Sequence, residues 1–144
     1  MTSHPQPETI AAIQQLYGRQ SHLIDSGAAR EWAETFTPDG VFDSPSYPNP
    51  VVGTEALTQF ARDFAASAFA KAERHRHVIT NLHIERVDAR TLTVAAYLQI
   101  IATKVAGPSA LLRFTTLSDT VRHTPDGWRV ARRTVARDDA PLPQ

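Results

Sequence analysis

Residues 76–100, RHVITNLHIERVDARTLTVAAYLQI, decide the fold. His77, Ile79, Asn81 and His83 alternate with Val78, Thr80, Leu82 and Ile84. Leu92, Val94, Ala96, Leu98 and Ile100 then alternate with Thr93, Ala95, Tyr97 and Gln99. Side chains that change face at every residue belong to strands, so long strands are expected from Arg76 onward. Two more are expected across Ala110–His123 and Trp128–Arg137, separated by the turn residues Thr124-Pro125-Asp126-Gly127.

Upstream the period is helical. Ile10, Ile13, Leu16, Tyr17, Leu23 and Ile24 form one apolar face of a long helix that opens at Pro7-Glu8 and stops near Asp25-Ser26-Gly27. A shorter helix is expected through Ala28–Phe36, with Trp32 and Phe36 four apart on one face. Thr37-Pro38-Asp39-Gly40 carries turn chemistry before a short strand, Val41-Phe42-Asp43. Ser44–Pro50, rich in proline, reads as a surface loop able to cover a cavity. Gly53-Thr54 opens a third helix bearing Leu57, Phe60, Ala61, Phe64 and Ala68. Three helices followed by a run of strands define an α+β class, not the alternation of a parallel sheet. Several strands are apolar on both faces. The helices therefore cover one face, and a second copy of the chain, in a homodimer, is expected on the other.

A length of 144 residues fits one domain, placed at 9–137 between a flexible arm (1–8) and a flexible tail (138–144). Lys plus Arg and Asp plus Glu each total 15, so no net field attracts nucleic acid or anionic lipid, and neither is an expected partner. The absence of cysteine excludes disulfides, thiolate metal sites and a cysteine nucleophile. No apolar run is long enough to cross a bilayer, and MTSHPQPE lacks the pattern of a secretory signal, so a cytoplasmic protein is expected. With no GxGxxG, P-loop or GxSxG segment, no cofactor is expected.

The succession of a helix ending at Asp25, then Trp32, FTPDGVF (36–42), Gly53, a helix, RHVITNLHI (76–84) and DGWRVARR (126–133) resembles the nuclear transport factor two-like superfamily, in particular its SnoaL-like branch. The resemblance spans Ile10–Arg137. It implies a cone-shaped, strongly bent antiparallel sheet closed by three helices into an α+β barrel with a pocket between them. That fold serves cyclases, isomerases and dehydratases as well as association modules, so the chemistry has to be argued from the site.

In two similar families, hexachlorocyclohexane dehydrochlorinase and scytalone dehydratase, an Asp ends the first helix and a His stands on the strand after the third. The matching residues here are Asp25 and His77. A carboxylate that orients an imidazole lets it act as a general base near neutral pH; as the alternative, Asp25 caps the second helix and His77 is a strand residue. Gln20 replaces the catalytic lysine of the dehydrochlorinase, which disfavours halide elimination. Tyr97 replaces the second histidine of the dehydratase and is a candidate proton donor. Asp119 matches the catalytic carboxylate of SnoaL-like polyketide cyclases; alternatively it is a solvated strand residue paired with Arg113, Arg122 or Arg132. Asp43 is a weaker version of the same idea.

His75, His77 and His83 share a face if the alternation begins early enough, but no metal-ligand motif accompanies them, and no metal is expected. Arg129, Arg132, Arg133 and Arg137 read as a solvated face self-paired with Asp138 and Asp139. Tyr17, Gln20, Trp32, Phe42, Phe60 and Asn81 are the expected pocket lining, with Asn81 and Tyr97 as donors to a carbonyl or enolate oxygen. The function these residues imply is that of a cofactor-independent lyase or isomerase. It would cyclise, isomerise or dehydrate a small hydrophobic, polyketide-like metabolite by acid–base chemistry or by folding it. The alternative is a non-catalytic binding module or the small structural subunit of a ring-hydroxylating dioxygenase.

Overall fold

A computed structural model describes residues 4–141. Helix α1 (Pro7–Asp25) begins with Pro at its first turn and buries Ile13, Leu16, Tyr17, Gln20 and Ile24 along one face. Helix α2 (Ala29–Ala33) is shorter than its sequence pattern predicts. Phe36 leaves it to open strand β1 (Phe36–Asp43), though its ring still meets Trp32 edge-on at 5.1 Å. β2 (Val51–Val52) and α3 (Thr54–Ala70) follow, then four long strands: β3 (Glu73–Asp88), β4 (Thr91–Lys104), β5 (Ser109–Thr124) and β6 (Gly127–Arg137).

The sheet has the order β2-β1-β6-β5-β4-β3. It is mixed rather than wholly antiparallel, because β1 runs parallel to β6. The other neighbours are antiparallel, as tight connections between β3, β4, β5 and β6 require. β1 meets β6 only after the rest of the domain has intervened, so no hairpin dictates their sense. The sheet curls around the helices without closing, with β2 and β3 as its edges.

Two bulges correct the alternation read from sequence. The turn residues 37–40 lie inside β1, where five steps from Phe36 to Val41 face only two from Val130 to Arg132. Gly40 fits there because a Cβ would stand 2.7 Å from Phe36 Cβ. In β3, pairing jumps from Thr80 with Tyr97 to His83 with Ala95, around Asn81 in the left-handed region at φ 57°. Asparagine tolerates that conformation. The inward face therefore passes from His77 and Ile79 to Leu82 and Ile84, which pack on the core, while His83 turns outward to Glu85. The three histidines thus do not share a face.

The core joins α1 and α3 to the inner sheet face through Ile13, Trp32, Leu57, Val94, Val121 and Val130. On the outer face Val78, Tyr97 and Phe114 remain exposed, with the Tyr97 and Phe114 rings 6.2 Å apart. Of the arm expected over 1–8, residues 1–3 lie outside the described residues, Pro5 is buried and Pro7 already belongs to α1. Of the tail expected over 138–144, residues 142–144 lie outside them. Among the described residues no helix is long and apolar enough to cross a membrane.

Candidate functional site

Between the helices and the inner sheet face lies a cavity whose walls are mainly apolar. Trp32, Phe42, Phe60 and Phe64 line it, with Phe60 stacked on Trp32 at 5.8 Å and 4.8 Å from Phe42. Tyr47, from the proline-rich loop, closes on Phe60 edge-on at 5.0 Å. The aromatic wall is thus assembled from α2, β1, the loop after it and α3. Such a surface suits a flat apolar molecule. Two hydrogen-bonded polar clusters reach its wall, beside the polar side chains of Ser44, Arg113 and Thr115.

The first is His77. α1 ends with Asp25 facing β3, and its Oδ1 lies 2.6 Å from His77 Nδ1. The backbone N–H of His77 donates to the same carboxylate, at 3.2 Å to Oδ1 and 3.0 Å to Oδ2. An ionised carboxylate only accepts, so Nδ1 is the donor in this arrangement, and in the neutral ring Nε2 keeps its lone pair. His77 lines the cavity with its ring 5.1 Å from that of Phe64. Asp25 does not cap α2, whose start has no side-chain cap among the described residues.

The second is Arg133, which the sequence pattern places on a solvated basic face. It is instead buried, and Asp119 is its partner. Arg133 Nε donates to Asp119 Oδ1 at 3.1 Å, and Nη2 donates to Oδ2 at 2.8 Å and to Gln20 Oε1 at 2.9 Å. The Tyr17 hydroxyl donates to Asp119 Oδ2, and the guanidinium lies 5.4 Å from the Tyr17 ring centroid. Gln20 passes the chain on from Nε2 to Thr35 Oγ1 at 2.8 Å. Burial, and after it the Asp119 carboxylate, push the Tyr17 phenol well above its ordinary value. Burial also opposes the charge on Arg133, but the attraction and hydrogen bonds of Asp119 outweigh it and hold the guanidinium protonated.

Arg133 and Gln20 line the cavity, whereas Asp119 and Tyr17 stand one layer behind them. Asp119 is therefore neither a solvated residue nor a free base: both of its oxygens already accept hydrogen bonds. Its partner is not Arg113, Arg122 or Arg132; Arg132 reaches Asp43 instead, at 3.1 Å. Only Arg137 of the late arginines meets the tail among the described residues, through Asp139.

Tyr97 and Asn81 do not reach the cavity. Tyr97 pairs with Thr80 and has the parity of Thr93 and Gln99, so it points to the outer face, 46% exposed. Asn81 is spent on the β3 bulge and exposed. The expected lining residues Gln20, Trp32, Phe42 and Phe60 are present in the wall. Arg133, Arg113, Thr115 and Ser44 also line it, and the sequence reading does not single them out as pocket residues. A signal for Arg133 exists in the pairing of Arg133 and Val135 with Asp119 and Leu117: opposite charges at the inward positions of neighbouring strands.

No curated protein sequence matches the chain. Among solved structures it is similar to a protein of Catenulispora acidiphila in complex with S-DNPA, at 30% identity over 93% of this chain and 96% of that one, TM-score 0.80. It is also similar to Aln2 of a Streptomyces species, at 26% identity over 94% of each chain, TM-score 0.83. ActVI-ORFA of Streptomyces coelicolor shares the fold, with a TM-score of 0.86 over 95% of this chain and 100% of that one at 19% identity. The SnoaL-like domain model matches residues 6–134, nearly the whole of the described chain, and the protein belongs to that family.

Proposed function

We propose that the protein is a cofactor-independent acid–base enzyme that cyclises, isomerises or dehydrates a small hydrophobic, carbonyl-bearing, polyketide-like molecule. The observation that carries this reading is the Asp25–His77 pair opening onto an aromatic-walled cavity. With Nδ1–H held by Asp25, His77 Nε2 takes a proton from carbon next to a carbonyl, and Asp25 stabilises the imidazolium that results. The negative charge moving onto the carbonyl oxygen needs a donor. Tyr97 and Asn81 are on the wrong side of the sheet for it. Arg133 supports that role: it lines the cavity, and its Nη1 has no protein acceptor among the described residues. Asp119, Tyr17 and Gln20 are positioning residues that fix the guanidinium in advance. His77 then returns the proton to the rearranged product or to a leaving hydroxyl. The similar protein of Catenulispora acidiphila, whose structure is in complex with S-DNPA, supports a ligand for this fold.

The outer sheet face supports a homodimer as the working form, since Val78, Tyr97, Leu111 and Phe114 otherwise remain in solvent. The catalytic reading is tested by turnover of His77→Ala with folding verified. A loss of roughly 10²–10⁴-fold is expected of a general acid–base group. Activity near that of the native protein, coupled with large losses for Phe60→Ala, would instead assign the reaction to substrate folding.

A further inference from the structure

One cation in the cavity wall has no acidic partner among the described residues. Arg133 is neutralised by Asp119, but Arg113 on β5, half-buried in the cavity wall, has no acidic partner among the described residues. Its backbone pairs with Ile100, which pairs in turn with His77, so the three stand in one row across β5, β4 and β3. Ile100 and His77 both face the cavity, and Arg113 shares the inward parity of Thr115, Leu117 and Asp119. Two residues along, Thr115 is 1% exposed, also lines the cavity, and its Oγ1 has no hydrogen-bond partner among the described residues. A buried hydroxyl without a partner carries a desolvation penalty that a bound acceptor relieves.

We infer that Arg113 and Thr115 form a carboxylate subsite, so that the substrate is an apolar acid whose carboxylate lies at β5 while its reacting carbon lies at His77. This rests on the reading of the cavity as a substrate site and names the substrate's class. The planar guanidinium offers two parallel donors to a carboxylate, and the Thr115 hydroxyl offers a third. One cation and one hydroxyl match a single negative charge; a phosphate dianion would leave charge and acceptors unmet. Strands are about 4.8 Å apart, so the row sets the His77 and Arg113 backbones roughly 10 Å from each other. The carboxylate and the reacting carbon therefore lie at separate ends of the substrate, with an apolar body between them. The aromatic wall packs its faces, and Ile100 forms the floor between the two polar ends.

Calorimetric titration of the intact protein with 2-naphthoate, 2-naphthamide and 2-naphthyl phosphate tests the subsite without needing turnover. The native protein is expected to bind the acid roughly ten- to a hundredfold more tightly than the amide, as a charge-assisted hydrogen-bonded pair implies. In Arg113→Gln that preference is expected to vanish while amide affinity stays the same; Arg113→Lys retains part of it, and Thr115→Val lowers it. His77→Gln keeps it. Equal binding of acid and amide, a preference that survives Arg113→Gln, loss of the preference in His77→Gln, or tighter binding of the phosphate would each overturn the assignment. The acid–base reading fails separately: if His77→Ala retains turnover while the acid preference follows Arg113, only the chemistry is wrong.

Discussion

Asp25 and Asp119 are both buried carboxylates, each placed at the end or middle of an element that faces the cavity, and each bound to a basic side chain. Their partners separate them. Asp25 holds an imidazole, which can carry a proton on either ring nitrogen and here leaves Nε2 out of the contact with Asp25. Asp119 holds a guanidinium that never gives up its proton, and a phenol whose ionisation is suppressed. In the proposed mechanism the same chemical group thus serves a movable proton at one pole of the cavity, and it holds a fixed charge at the other. Which role a carboxylate plays is set by the side chain it meets across the fold.

The contrast breaks first in stability. Asp119→Ala leaves a buried guanidinium uncompensated and is expected to cost about 3–5 kcal/mol, read by urea unfolding. The double variant Asp119→Leu/Arg133→Met should recover much of that stability while remaining inactive. A loss for Asp119→Ala no larger than that of Asp25→Asn would erase the distinction between the poles.

Tyr17 sharpens the contrast through pH. Its folded-state value lies above that of an exposed phenol, so its contribution is complete below the unfolded value of about 10 and is lost as pH rises through the folded one. In an absorbance titration at alkaline pH, Tyr17 is expected to ionise last, with unfolding, whereas Tyr17→Phe lacks that late phase. Early ionisation of Tyr17 in the folded protein would show the Asp119 pole to be open to water.

The smallest catalytic effect is expected at Tyr97. On the outer face, Tyr97→Phe should leave turnover within about twofold, whereas a catalytic proton donor would cost roughly 10²-fold or more. Tyr97→Asp, by placing charge on the proposed dimer face, should shift the protein toward monomer in sedimentation, with the cavity unaffected.

Much of this arrangement is legible in the chain. The change of period at Arg76 marks where helices yield to strands, and the inward alternation of Leu92 to Ile100 orders the core correctly. What periodicity does not carry is the position of bulges. One left-handed residue at Asn81 reverses the parity of everything beyond it, and so Asn81 and His83 leave the face on which strict alternation puts them. Tyr97 departs from expectation for another reason. The alternation that buries Ala96 and Leu98 already turns it outward, and the likeness to a family with a histidine there points the other way. Arg133 is hidden because a run of arginines resembles a solvated face until each is assigned to one side of its strand.

The most direct measurement needs no substrate. Nitrogen NMR of the His77 imidazole reports which ring nitrogen carries the proton. Nδ1–H with an unprotonated Nε2 is expected in the neutral ring, with a strongly hydrogen-bonded Nδ1 proton that Asp25→Asn weakens or removes. Protonation on Nε2 in the native protein, unchanged by Asp25→Asn, would contradict the assignment of Asp25 and His77 as the proton-transferring pole.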